Sequence, residues 1–199
     1  MEKIITKELI EKLMKTEGET RAISIKGDLE FILYKKGEEG LKKLEEELEK
    51  FGHPIKYKKL EDMNFYPVGL EALVFLAAEK LFNFSKEDFV EMGEFNAKVS
   101  LIVRLFMKYF VSIDSMAKES PKFWRKYYTN GDLSIIELDK EKKYAIARIE
   151  NFALSPSHCY TLKGYFLSVV KMILGHPISC EETKCTFRGD EYHEFKLTW

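Results

Sequence analysis

The stretch SPSHCYTLKGYFLSVVKMILGHPISCEETKCTFRGDEYHEFKLTW, residues 155–199, decides the fold, because it predicts a helix, a stop and a hairpin in succession. Ser155 offers a capping side chain, Pro156 suits the first helical position, and apolar residues then recur at helical spacing. A glycine and a proline end this helix. Two extended segments follow, Ile178–Phe187 and Tyr192–Trp199, and the Gly-Asp pair between them suits a tight hairpin turn.

Two more extended segments precede this unit. Leu133–Leu138 and Tyr144–Glu150 alternate apolar and polar residues on either side of a charged turn, which predicts a second hairpin. The C-terminal half of the chain is therefore predicted to be hairpin, helix, hairpin. The fold class that satisfies this order is α+β, with N-terminal helices packed on a four-stranded antiparallel sheet.

The rest of the chain is predicted to be mainly helical. Thr20–Tyr34 allows two interpretations, either two short strands around a Lys-Gly-Asp turn or a loop followed by a helix. The other predicted helices are Lys7–Lys15, Gly37–Phe51, Pro67–Phe82, Ser85–Val111, Asp114–Lys118 and Pro121–Tyr127. At 199 residues we expect one domain, in which an N-terminal segment, 1–63, packs on a main ligand-binding domain, 64–199.

Composition excludes several classes of protein. The net charge is −1, from 32 basic and 33 acidic residues, so the basic excess of a nucleic-acid-binding protein is missing. No apolar run reaches the roughly 18 residues that span a bilayer. The N-terminus lacks an apolar targeting core, and 3 cysteines do not suggest a disulfide scaffold. We therefore expect a cytoplasmic protein with reduced thiols.

The C-terminal hairpin carries the pattern ExxCxxxGDxxHxF at residues 182–195, after a helix that contains Cys159. This pattern resembles the C-terminal signature of 4-vinyl-reductase-type domains, and the resemblance extends over about Asn64–Trp199. Those domains are similar to TRAPP vesicle-tethering subunits and belong to the NO-signalling/Golgi-transport ligand-binding superfamily. Sensor domains of hydrocarbon-responsive activators resemble them too. The family pattern usually has a cysteine where this chain has His193.

This resemblance implies a non-enzymatic sensor or regulatory domain that binds a small apolar or hydrocarbon molecule. It also implies a homodimer and a signalling protein partner. Two alternatives stay open, a TRAPP-like dimeric adaptor and a reductase that acts on a tetrapyrrole vinyl group. His193 removes the cysteine pair that redox chemistry would use, and no nucleotide-binding loop is present, so an enzyme is the less favoured alternative.

The hairpin also holds candidate metal ligands. Cys185 and His193 fall on neighbouring strands, and both residue types bind zinc. Cys159 and Glu182 complete four ligands, the set that the hydrocarbon-sensing relatives imply for a structural zinc. Because Glu182 and Cys185 are three residues apart, a regular strand would point them to opposite faces, and a bulge is required. The alternative is a group of buried thiols that pack as small apolar side chains.

The apolar helix faces allow two interpretations as well. Their spacing alone favours a filled core, whereas the resemblance favours a cavity for a ligand. The residues chosen as cavity lining are Phe95, Val99, Ile102, Phe106, Tyr165 and Phe166. Heme is disfavoured as a cofactor, because the Tyr-x-Ser-x-Arg motif of a neighbouring heme-binding branch is missing. His158 and His176 are the remaining candidates for an axial ligand.

Overall fold

The computed structural model describes residues 5–99 and 112–199, in which helices come first and a sheet follows. The helices are α1 (Lys7–Met14), α2 (Ala22–Lys50), α3 (Gly69–Phe82), α4 (Lys86–Val99), α5 (Ile113–Tyr127) and α6 (Pro156–Leu174). The strands are β1 (Glu19–Arg21), β2 (Phe65–Pro67), β3 (Asp132–Asp139), β4 (Tyr144–Glu150), β5 (Ser179–Lys184) and β6 (His193–Thr198).

The four C-terminal strands form one antiparallel sheet in the order β3-β4-β6-β5. Alternate residues of the central strand β4, Ala145, Ala147 and Ile149, are buried, as expected for a sheet with one face on the core. Helix α6 connects the two hairpins, with Ser155 capping its first turn and Gly175 ending it. The predicted α+β class, with its hairpin, helix, hairpin order, is confirmed.

Helix α2 resolves the ambiguous segment near the N-terminus. Ala22, Ile25, Leu29 and Ile32 are fully buried, at the spacing of three and four that places them on one helical face. The interpretation as two strands is therefore wrong. The alternative, a loop followed by a helix, is right for the helix, but the short strand β1 (Glu19–Arg21) stands where the loop was expected. At Gly37 a φ of 69° kinks the helix, because a glycine can adopt this angle without steric cost.

Helix α5 corrects a second local prediction. The sequence predicts two short helices separated at Pro121, whereas the structure has one continuous helix through this proline. A proline has no N–H for the carbonyl four residues earlier, here Ala117. The Ser120 hydroxyl donates to the Ala117 carbonyl at 3.1 Å and so replaces the missing bond.

Helices α4 and α6 cross at backbone contact, which places the first turns of α6 beside the helical layer. A Cβ atom at Gly93 would lie 1.9 Å from the Thr161 carbonyl oxygen, and one at Gly164 would lie 1.9 Å from the Val90 carbonyl oxygen. No side chain fits at either position, so the two glycines set the distance between these helices.

Some predictions fall outside the described residues or are not tested by the fold. The predicted continuation of the fourth helix to Val111 lies outside them, as do Ile102 and Phe106. The division into 1–63 and 64–199 stays a prediction; α2, in the first part, packs on α3 and α4, in the second. Among the described helices, none has both the length and the apolar character needed to cross a bilayer.

Candidate functional site

A cavity of about 210 Å³ lies between the N-terminal helices and the start of α6. Its wall comes from α2, α3, α4, α5, β3 and α6, and aromatic side chains supply much of it: Phe123, Trp124, Tyr127, Tyr128, Tyr165 and Phe166. Lys26, Glu30 and Asp62 also line the cavity, and Asp62 is exposed, so the cavity reaches the surface between α2 and the segment before β2.

The inner wall of the cavity holds a hydrogen-bonded group of four residues, which we call the cavity cluster: Ser24, Glu71, Tyr128 and His158. Glu71 Oε1 accepts from the Ser24 hydroxyl at 2.9 Å and from the Tyr128 hydroxyl at 3.0 Å. The Tyr128 oxygen lies 3.1 Å from His158 Nε2. Because Tyr128 donates to Glu71, the neutral imidazole donates to Tyr128 through Nε2–H.

Burial sets the protonation states of this cluster. It raises the pKa of Glu71 to about 7, although hydrogen bonds from Ser24 and Tyr128 act in the opposite direction. It lowers the pKa of His158 to about 3, with the charge of His193 adding to the effect. His158 is therefore neutral at pH 7, and its approach to within 3.8 Å of Glu71 Oε1 is not an ion pair.

A second buried carboxyl lies behind the cavity wall. Asp28, on α2, is fully buried, and Oδ1 accepts from the Asn96 amide on α4 at 2.7 Å. Burial, together with the charge of Glu71, raises the pKa of Asp28 well above its ordinary value. Two carboxyl groups thus share one poorly solvated region of the molecule.

The residues chosen from the sequence as cavity lining have different positions. Val99, Tyr165 and Phe166 line the cavity. Phe95 instead packs on α2, where its ring centroid lies 5.6 Å from that of Phe31 and 5.4 Å from that of Tyr34. That any of them binds a ligand stays a prediction.

On the opposite side of the start of α6 lies the thiol cluster: Cys159, Glu182, Cys185 and His193. One donor atom from each residue lies within 4.8 Å of the other three. The two sulfurs are 3.8 Å apart, Cys159 Sγ is 3.6 Å from His193 Nδ1, and His193 Nδ1 is 3.3 Å from Glu182 Oε1. The bulge that the sequence requires is present, as a register shift between Glu182 and Lys184.

Other groups hold the thiol cluster in place. Asp190 Oδ2 accepts from the Cys185 backbone N–H at 2.8 Å, and Arg188 Nη2 donates to the Glu182 carbonyl at 3.0 Å. Burial raises the pKa of both Cys159 and Cys185. Burial also acts to raise the pKa of Glu182, but hydrogen bonds from His193 and the two thiols outweigh it and lower the pKa.

Sequence reasoning missed three members of the cavity cluster: Ser24, Glu71 and Tyr128. They lie on separate elements, up to 104 positions apart. One signal was available, because Glu71 is a single acidic residue among buried apolar residues of α3, where an unpaired charge is costly.

Comparison with known proteins identifies the fold. Neither family models nor curated proteins match this sequence. Solved structures do match: an H-NOX protein from S. oneidensis in the Fe(II)NO ligation state is 14% identical, with a TM-score of 0.62, and the alignment covers 89% of this chain and 97% of that one. An oxygen-binding H-NOX domain related to soluble guanylate cyclases is 12% identical, with a TM-score of 0.60 and coverage of 89% and 92%.

These findings correct two predictions. The assignment to 4-vinyl-reductase-type or TRAPP-like domains is wrong, since the structural neighbours are consistently H-NOX domains. That assignment relied on one short hairpin pattern, whereas the structural match extends over most of the chain. The cofactor prediction is also contradicted. The sequence disfavours heme. Two of the neighbouring structures, however, are described in terms of heme redox potential and heme distortion, and no neighbouring structure supports the predicted zinc. At these identities the comparison carries the fold alone, and the fold is that of H-NOX domains.

Proposed function

We propose that this chain is a small-molecule-binding sensor domain rather than an enzyme, and that its ligand binds in the cavity beside His158. The observation that supports this is a cavity of about 210 Å³ with a buried, hydrogen-bonded polar cluster in a largely aromatic wall. Binding sites for small molecules have this composition, a mainly apolar lining with a few convergent polar groups. The neighbour described as an oxygen-binding domain related to guanylate cyclases gives the sensor role further support.

A ligand in this cavity would contact several separate elements at once. Ser24 belongs to α2, Glu71 to α3 and His158 to α6, and Tyr128 bridges to Thr20 of β1. A molecule that binds one arrangement of these elements better than another shifts the population between arrangements. A protein partner would read that shift. The homodimer and the cytoplasmic location are parts of the same proposal, and light scattering tests the dimer.

The test introduces a larger side chain into the cavity and measures the loss of ligand binding. The native mass of the purified chain is compared with its denatured mass, and candidate ligands are screened by the rise in Tm. Ile23→Phe should abolish binding, because Ile23 lines this cavity. Ile135→Phe is the matched control, since Ile135 lines a different, smaller void. Binding that Ile23→Phe leaves unchanged would reject this cavity as the site.

Heme is a second candidate, favoured by the placement of a histidine in the cavity wall. His158 would hold the heme iron and Lys26 would pair with a propionate. A bound heme would supply the binding of a diatomic gas. The donor chemistry fits, but about 210 Å³ is below the roughly 300–1,000 Å³ of sites for drug-sized ligands, so a porphyrin requires the cavity to widen.

An absorption spectrum tests the heme candidate. Purified or hemin-reconstituted protein should show a Soret band that His158→Ala removes and His176→Ala retains, because His176 is exposed after the end of α6. A protein that remains colourless after hemin is added and the excess removed would eliminate heme and leave the smaller ligand.

The thiol cluster supports a separate proposal, a tetrahedral transition-metal site formed by its four residues. Around such an ion, sulfurs at about 2.3 Å and nitrogen or oxygen at about 2.1 Å lie roughly 3.8 Å apart for two sulfurs, 3.6 Å for sulfur and nitrogen, and 3.4 Å for nitrogen and oxygen. The corresponding distances in the thiol cluster are 3.8, 3.6 and 3.3 Å. The Thr186 hydroxyl lies 2.9 Å from His193 Nε2 and would fix the ring while Nδ1 binds the ion.

Elemental analysis and cobalt titration test this site. We expect one equivalent of metal per chain, and Co²⁺ added to the metal-free protein should give the absorption bands of tetrahedral thiolate coordination. Cys185→Ser should lose the metal, whereas Cys180→Ser should keep it, because Cys180 is equally buried but lies outside the cluster. A wild-type chain that binds no metal would reject the proposal.

A further inference from the structure

The polar groups around the inner end of the cavity are short of hydrogen-bond donors. Five buried oxygens in this region have no hydrogen-bond partner in the described part of the chain. Three are acceptors, Glu71 Oε2, Asp28 Oδ2 and Asn96 Oδ1, and two are the hydroxyls of Thr20 and Tyr165. Glu71 and Asn96 both line the cavity. An ionised carboxylate and an amide oxygen can only accept hydrogen bonds, and a buried acceptor without a partner costs roughly 1–3 kcal/mol. When both carboxyls are ionised, the two hydroxyls cannot donate to all three acceptors, and at least one donor is missing.

Positive charge is missing from the same place. The groups that face Glu71 are the carboxyl of Asp28 on α2, the hydroxyls of Thr20, Ser24 and Tyr128, and the imidazole of His158 on α6. Lys26, in the cavity wall, forms an ion pair with Asp62. Among residues 5–99 and 112–199, no lysine or arginine forms an ion pair with Glu71 or Asp28. Buried carboxylates are normally paired with a cation, and within the described ranges Glu71 and Asp28 have none.

The remaining wall suits the apolar body of a cation. Trp124, Tyr127 and Tyr165 are among the rings that line the cavity, and aromatic faces attract ammonium groups. The size is restrictive, because a cavity of about 150 Å³ already binds benzene, and this one measures about 210 Å³. A single ring or a short branched chain with one ammonium group has the matching size and charge pattern.

We infer that the ligand of this cavity is a small organic cation, an amine whose ammonium group donates to Glu71 and whose apolar body packs on the aromatic wall. This inference rests on the proposed function and names its ligand class. An organic cation is favoured over a metal ion, since among the described residues the thiol cluster alone brings three or more metal-ligating side chains within ligand distance.

The pKa of Glu71 gives this inference a proton linkage. Because burial raises that pKa to about 7, part of the free protein carries a neutral Glu71 at pH 7. An ammonium group takes the place of that proton, so binding releases it and the affinity rises with pH. The affinity of a neutral ligand would depend less on pH and would fall, rather than rise, as the pH increases.

The experiment compares three probes of one shape by calorimetry with the full chain: benzylamine, benzyl alcohol and benzoate. Benzylamine should bind at least about tenfold more tightly than benzyl alcohol, the ratio expected for a charge-assisted hydrogen bond, and benzoate should bind least. Affinity for benzylamine should increase from pH 6 to pH 8. Glu71→Gln should remove the preference for the amine, and Glu39→Gln, at an exposed position, should retain it.

Each outcome separates the ligand class from the function. If benzyl alcohol binds as well as benzylamine, or if Glu71→Gln keeps the amine preference, the cavity binds ligands but the cationic class is wrong. If none of the three probes binds, and a further panel of small amines does not bind either, both the class and the cavity are rejected. Should Glu71→Gln fail to fold, Asp28→Asn takes its place and should weaken amine binding about tenfold or less.

Discussion

Two buried polar clusters begin at neighbouring residues of α6 and face different directions, with His158 in the cavity wall and Cys159 beside the C-terminal hairpin. In the thiol cluster, four donor atoms converge to within 4.8 Å of each other. In the cavity cluster the polar atoms border a space of about 210 Å³, and some acceptors there have no described partner. Ligand atoms that converge on one point can bind a metal ion. Acceptors spread around a cavity can bind an organic molecule.

The largest effect should come from breaking the scaffold that both clusters share. Gly164→Ala places a methyl group 1.9 Å from the Val90 carbonyl oxygen, so α4 and α6 must separate. We expect a loss of about 3–4 kcal/mol in the free energy of unfolding, measured by urea denaturation. Lys163→Ala, one residue earlier and half-exposed, should change it by less than about 0.5 kcal/mol. Equal effects of the two variants would mean that the close crossing is not required.

A chelator should affect the thiol cluster only. If the proposed metal is present at about 100 times its Kd, its removal should lower the free energy of unfolding by about 3 kcal/mol. Binding of ligands in the cavity should survive in the protein that remains folded. Cys185→Ala should abolish the response to chelator, and Cys180→Ala should preserve it. An unchanged Tm on addition of chelator would show that the cluster is held by packing alone.

The pH dependence of stability should differ between wild type and Glu71→Gln, because Glu71 titrates in the cavity cluster. Glu71 has a pKa of about 7 in the folded chain against an ordinary 4.5, so the folded state holds more protons between these values. Its contribution to stability is therefore full below about pH 4.5 and is lost as the pH rises through 7. Between about pH 5 and pH 8, wild type should lose about 2–3 kcal/mol relative to Glu71→Gln.

Taking the difference between these two proteins cancels the titration of His158, which both contain. Parallel pH profiles for wild type and Glu71→Gln would mean that Glu71 is ionised throughout, and that a cation already balances its charge.

The smallest loss of stability should come from removing one hydrogen-bonding group of the cavity cluster. Tyr128→Phe removes the hydroxyl that joins Glu71 to His158, and should cost about 1–2 kcal/mol in the free energy of unfolding. The metal content should not change, because this hydroxyl does not reach the thiol cluster. Tyr144→Phe, which removes an exposed hydroxyl from β4, is the control and should have little effect. A loss of metal in Tyr128→Phe would show that the two clusters are coupled through α6.

The thiol cluster was accessible to sequence reasoning because most of it is local. Glu182, Cys185 and His193 lie within one hairpin, and only Cys159 comes from another element. The need for a bulge also followed from local geometry, since residues three apart on a strand face opposite ways. By contrast, the cavity cluster joins residues from α2, α3, α6 and the end of α5, and no short pattern contains them.

The family prediction failed for a related reason. A hairpin pattern at residues 182–195 samples a small part of the chain, whereas the match to H-NOX domains depends on the course of the whole backbone. The prediction that disfavoured heme is contradicted by the heme-related structural neighbours as well, because residues that hold a cofactor can come from any element that the fold brings to a cavity.

The sequence by itself determined the α+β class, the hairpin, helix, hairpin order and most helix ends, because apolar periodicity, caps and turn residues act over a few positions. Only the tertiary structure decided that α2 is one kinked helix, that Val99 rather than Phe95 lines the cavity, and that Glu71 meets Tyr128 and His158. These outcomes depend on which elements pack together and on the volume left between them, and local spacing does not specify either quantity.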